Sequence, residues 1–129
     1  MQDFRHLETW QVAHALSLDI YKVTESFPRS ELYGLTSQLR RATVSIAANV
    51  AEGTGRRTDP GTRYFLEIAS GSASEVEYLL LLTKDLGLLQ PSHHGKLEPK
   101  VQSVRRLLNG FIRRLRARGA GGRRPDRQG

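Results

Sequence analysis

The chain has no cysteine and only one methionine and one tryptophan among its 129 residues. Without cysteine, disulfide staples, thiolate metal sites and thiol nucleophiles are excluded together, which suits a reducing cytoplasm. Long apolar runs are missing too. The longest, Leu79 to Leu82, falls far short of the ~20 residues that span a bilayer. The opening MQDFRHLETWQVAHAL carries Asp3, Arg5, His6 and Glu8 where a signal peptide needs apolar residues. A cytoplasmic protein with no membrane partner is therefore expected. Acidic residues nearly vanish from the last quarter. From Arg105 onward there are nine of the 20 basic residues and one of the 13 acidic ones, Asp126, which leaves 11 and 12 for residues 1–104. The body is close to neutral, and the net charge of +7 sits at the C-terminal end.

What is present is helical periodicity. A chain of this length is one domain with a sizeable core. In a first segment, over about 8–26, Trp10, Ala13, Leu16, Ile20, Val23 and Phe27 recur at three- and four-residue spacing, and Phe27-Pro28 ends it. A second, over 31–53, has Ser30 as N-cap, a stripe of Leu32, Leu35, Leu39, Ala42, Ile46 and Asn49/Val50, and Gly53 and Gly55 as its stop. A third, over 60–86, opens with Asp59 as cap and Pro60 in first position; Phe65, Ile68, Ser72, Val76, Leu79, Thr83 and Leu86 line its face. The stripe keeps phase across Ala69–Ser74, so this helix is expected to be continuous despite weak helix formers. A fourth, over 98–118, has Pro99 in its first turn and a stripe of Leu97, Val101, Val104, Leu108, Phe111 and Leu115. The expected fold is an all-α, antiparallel up-down four-helix bundle over residues 1–118. Residues 119–129, which lack large apolar side chains, are expected to form a disordered basic tail.

The second segment has too many apolar faces for an ordinary surface helix. Leu35, Ala42 and Ile46 point one way at 100° per residue, and Val44, Ala47, Ala48 and Ala51 point roughly the other. Subunit packing on that small-residue face explains it, as does a helix central in its own bundle. Between the faces runs a polar stripe of Gln38, Arg41, Ser45, Asn49 and Glu52. It reads as a hydrogen-bonded network fixing helix register, with Arg41 set against Glu75 of the third segment, or alternatively as a ligand groove.

Enzyme chemistry finds little support. The four histidines include His93-His94, expected in a solvated loop, and no HExxH or paired Glu-x-x-His motif occurs. Ser45, Ser72 and Ser74 lie within helical segments that carry no histidine to activate them. The glycines at Gly53-Thr54-Gly55 do not precede the Lys-Ser/Thr of a phosphate loop. No cofactor or metal is expected. The one chemical signal is the arginine cluster: Arg105, Arg106, Arg113, Arg114, Arg116 and Arg118 on the fourth segment, with Arg123, Arg124 and Arg127 on the tail. Guanidinium groups bind phosphate bidentately and stay charged, so such a surface suits RNA or DNA backbone without base readout. A merely solubilising face is the plain alternative.

The stretches Tyr33-Gly34-Leu35-Thr36-Ser37-Gln38-Leu39-Arg40-Arg41-Ala42 and Ser45-Ile46-Ala47-Ala48-Asn49-Val50-Ala51-Glu52-Gly53 resemble the bacterial four helix bundle protein family, also called the ribosomal RNA intervening-sequence protein family. Phe4–Gln11, Phe65–Ser72 and Glu75 fit the same pattern, and the resemblance covers about residues 4–118. It implies a homopentamer of four-helix bundles. It also implies kinship with the accessory protein of diversity-generating retroelements, a basic pentameric barrel that binds nucleic acid and a reverse transcriptase. In that light Gln38, Arg41, Asn49, Glu52 and Glu75 hold the bundle or its ring together. The arginine hypothesis stands on this sequence alone. The expected function is a non-enzymatic homo-oligomer that binds nucleic acid non-specifically. The alternative is a scaffold for a protein partner.

Overall fold

The structure is a computed structural model that describes residues 3–128, with side chains described over 3–119. A 3-10 turn, Phe4–His6, leads into α1 (Glu8–Thr24); a second, Arg29–Glu31, precedes α2 (Leu35–Thr54), and α3 (Asp59–Asp85) and α4 (Pro91–Gln128) follow. Packing runs round a square, α1 on α2, α2 on α3, α3 on α4 and α4 on α1, giving the expected up-down bundle. Beyond Gly119, the expected tail lies outside the residues whose side chains are described.

The helix starts differ from expectation for local reasons. Ser30 does not cap α2. The chain makes a 3-10 turn there, and the Glu31 carboxylate reaches forward to accept the Leu35 N–H at 3.2 Å. At α3 the cap is Thr58, one residue earlier than expected, whose hydroxyl accepts the Gly61 N–H at 3.1 Å. Asp59 is thereby moved into the first turn, where its charge faces the positive helix end. α4 starts at Pro91, not near 98, so His93-His94 lie in helix and Pro99 is interior. Proline 99 has no N–H to offer the Gly95 carbonyl, but both residues are exposed and water can serve it. α3 is unbroken through its small residues, and it ends where Gly87 adopts φ +80°, with Leu88 N–H bonded to Thr83 O and Gly87 N–H to Lys84 O.

Ala13, Leu16, Ile20, Leu39, Ile46, Val50, Val101, Val104 and Leu108 fill the core as the periodicity predicts. On α3 the expected Val76, Leu79 and Thr83 are inside, but the buried face is rotated toward Leu66, Ala69, Ala73 and Leu80, while the expected Ile68 and Leu86 are exposed. The alanines decide this, because they let α2 and α3 approach more closely than larger side chains would. They come close at Gly53, a buried residue within α2 and not its stop. A Cβ there would stand 3.1 Å from the Thr62 carbonyl oxygen and 3.2 Å from Phe65 Cβ. Buried Thr24, Thr43 and Thr83 donate their hydroxyls to carbonyls four residues back, so the core holds them at little cost.

Candidate nucleic-acid interface and assembly faces

The arginines of α4 divide into two groups. Three are engaged by α3 carboxylates: Arg105 by Glu77, Arg116 by Glu67 at 2.8 Å, and Arg118 by Asp59 through a fork with arms of 3.0 and 2.6 Å. Hydrogen bonding from Arg118 is the largest cause holding the Asp59 carboxyl below its ordinary value. Desolvation opposes it and the guanidinium charge adds to it; Arg118 is raised in return. These pairs form a seam along α3 and α4. Arg106, Arg113 and Arg114 are exposed and have no carboxylate within 4.0 Å among the described residues. Arg106 donates to Ser103 Oγ at 3.1 Å, and the Arg114 guanidinium lies 5.6 Å from the Phe111 ring centroid. The side chains of Arg123, Arg124 and Arg127 lie outside the described residues.

The Arg118–Asp59 fork has a topological consequence. It ties α4 at Arg118 to the start of α3, so the α2–α3 turn with Arg56 and Arg57, and Arg63 one turn into α3, share that end of the bundle. Arg5 joins them, since α1 runs antiparallel to α4 with Asp19 bonded to Lys100 at 2.7 Å. Arg56 is held by Glu52 at 3.0 Å and Arg5 by Asp3 at 3.3 Å. Arg57 and Arg63 have no carboxylate partner among the described residues. Sequence reasoning missed these two. The signal was available: in an up-down bundle the second turn must lie beside the C-terminal part of the last helix.

The polar stripe of α2 is partly a network. Asn49 donates to the Ser45 carbonyl at 2.8 Å and to Ser45 Oγ at 3.0 Å, and Ser45 Oγ lies 2.9 Å from Ser72 Oγ on α3. Gln38, not Arg41, meets Glu75, donating at 3.4 Å. Arg41 is exposed and pairs with no carboxylate among the described residues, although it and Glu75 line the same groove of about 530 Å³. Glu52 is drawn away to Arg56. A linkage that sequence reasoning did not single out is Arg40, whose Nε donates to Thr24 Oγ1 at 2.8 Å while its guanidinium sits 4.4 Å from the Tyr21 ring.

The second apolar face of α2 forms one wall of an α1–α2 groove of about 570 Å³, lined by Phe4, Trp10, Leu18, Tyr21, Val44 and Ala48 among others. Val44 and Ala48 are exposed and Ala51 is half-buried, whereas Ala47 already belongs to the bundle's own core. Trp10 stacks on His14, ring centroids 4.7 Å apart, with Phe4 edge-on at 5.0 Å. A second exposed apolar set forms a broken ridge on α3: Tyr64 (63% exposed), Ile68 (39%), Tyr78 (58%) and Leu81 (45%). Among the described residues no three His, Asp or Glu side chains group as metal ligands do, and no helix is long and apolar enough to cross a membrane.

A closed four-helix bundle with a basic end, a polar α2–α3 network and two exposed apolar faces defines the class. Within it, residues 5–110 match the family described as 23S rRNA-intervening sequence protein, and the chain belongs to that family. A similar solved structure is a protein of unknown function from the S23 ribosomal protein family of Bacteroides thetaiotaomicron. It superposes with a TM-score of 0.73 at 20% identity, over 81% of this chain and 97% of that one, which establishes a shared fold. No curated protein matches the chain.

Proposed function

We propose that this chain is a self-assembling bundle protein, not an enzyme, that binds nucleic acid through its phosphates without reading sequence. The observation that carries this is the basic end of the bundle, where Arg57, Arg63, Arg113 and Arg114 stand without carboxylate partners among the described residues. Arg105, Arg116 and Arg118, by contrast, are paired with carboxylates across the seam. Unpaired guanidinium groups gathered at one end raise the local potential and attract polyanions.

Assembly multiplies that field. The α1–α2 groove and the α3 ridge are apolar surfaces on different helices, which suits a heterologous contact that closes into a ring. Five is the ring size that the family resemblance suggests. The family's description, an intervening-sequence protein of 23S ribosomal RNA, agrees in kind with an RNA-associated role. A protein partner docked on the α3 ridge is the second reading, favoured by its two exposed tyrosines.

The test is fluorescence anisotropy of labelled RNA and duplex DNA over a salt series, with oligomer mass from light scattering in parallel. Expected are an oligomer and an affinity whose logarithm falls linearly with log salt, regardless of base sequence. Absence of binding at low salt by an intact oligomer refutes the nucleic-acid role and leaves the scaffold reading.

A further inference from the structure

The word Gly110-Phe111-Ile112-Arg113-Arg114 puts two arginines three and four residues after a glycine. On a helix, positions i+3 and i+4 flank position i on the next turn, so both side chains border the space above residue 110. Consecutive arginines ordinarily diverge by about 100°. Here they converge. The point where a Cβ would stand on Gly110 is 3.5 Å from Arg114 Nη1 and 3.9 Å from Arg113 Nη2. Any larger residue at 110 would occupy the wedge they share. Phe111 adds a face on which Arg114 rests, 5.6 Å from its ring centroid.

Two guanidinium groups brought together repel unless an anion lies between them. The neighbouring arginines have such anions: Arg116 has Glu67 and Arg118 has Asp59. No carboxylate lies within 4.0 Å of Arg113 or Arg114 among the described residues, and both are exposed. The paired arginines also pin α4 to α3 at Arg116 and Arg118, so the unpaired two sit on an anchored segment of helix.

We infer that Arg113 and Arg114 form a two-arginine clamp over Gly110 that holds one phosphate of a nucleic-acid backbone. This rests on the nucleic-acid reading above and makes it local. A phosphodiester presents two charged oxygens, which two planar forks can take with charge-assisted bonds. Arg116 and Arg118 then serve as anchors and not as ligands.

Two readouts on the full chain separate the clamp from the wider reading. In the first, arginine Nε–Hε resonances are followed by NMR while inorganic pyrophosphate is added. Arg113 and Arg114 are expected to move, and Arg116 and Arg118 to stay. In the second, binding of a labelled RNA strand is compared for R113S/R114S and R116S/R118S. The first pair is expected to lose about tenfold to hundredfold in affinity and about one unit of salt slope. The second is expected to remain within about threefold. Equal losses from both pairs, or equal resonance shifts at all four arginines, would overturn the clamp in favour of a diffuse field while sparing the nucleic-acid reading. Shifts confined to Arg113 and Arg114 without any RNA binding would support the anion clamp and overturn the nucleic-acid partner.

Discussion

Replacing Gly53 by alanine isolates the close contact of α2 and α3. In a helix interior, glycine to alanine stabilises by about 0.5–1 kcal/mol, because the unfolded chain loses freedom and the helix gains propensity. At Gly53 the added methyl would meet the Thr62 carbonyl oxygen at 3.1 Å and Phe65 Cβ at 3.2 Å, both too tight for ordinary contact. Neither is the far end of a flexible side chain, so α3 itself must move by tenths of an ångström, and overpacking of this kind costs about 1–3 kcal/mol. The shift also strains the Thr62 hydroxyl bond to the Gly53 carbonyl, now 2.8 Å. The net expectation is destabilisation by about 1 kcal/mol, or roughly 4 °C in Tm. Gly95→Ala is the control, since nothing lies within 4 Å of its Cβ position and the same propensity gain appears alone. Urea unfolding at fixed protein concentration should therefore separate the two variants by about 2 kcal/mol. If Gly53→Ala stabilised the protein as much as Gly95→Ala, the close approach of α2 and α3 at this point would be refuted.

Other expectations follow from single contacts. Arg118→Ala should return the Asp59 carboxyl toward its ordinary value of 3.8, read from its side-chain resonance over an acid titration. Because Asp59 is lowered in the folded state, the stability from this pair is present above that value and is lost as pH falls through the folded one. The variant should therefore depend less on pH in the acid range. Thr58→Ala removes the α3 cap and should cost about 1 kcal/mol in urea unfolding, with Thr58→Ser restoring most of it. Ala48→Glu places a charge in the α1–α2 groove at a position exposed in the single bundle. Circular dichroism should be unchanged while light scattering falls to the monomer mass; a persisting oligomer would exclude that groove from the interface.

Much of the bundle was legible in the chain because three- and four-residue periodicity reports directly on which side chains must leave water. The stripes of α1, α2 and α4 line the core nearly as written, except that Leu32 lies before α2 and is exposed. Helix starts were less legible. Ser30, Thr58 and Asp59 are all competent caps, and the choice among them depends on the path of the incoming chain. Pro99 misled for a similar reason: a proline near a helix start is common, but one inside a helix is tolerated where the orphaned carbonyl meets solvent. The arginine cluster was legible as charge. Its division into paired and unpaired members was not, since partners such as Glu77, Glu67 and Asp59 lie far away in sequence.

The sequence by itself determined the helix count, the antiparallel order and the concentration of charge at one end, because these follow from local periodicity, short connections and composition. Tertiary structure decided which face of α3 turned inward. Two apolar stripes competed there, and the one built on Ala69 and Ala73 won because small side chains allow α2 to come close at Gly53. That rotation left Ile68 and Leu86 outside. Tertiary structure also chose which arginines were neutralised, since a charge is cancelled by what lies within a few ångströms in space, whatever its distance along the chain.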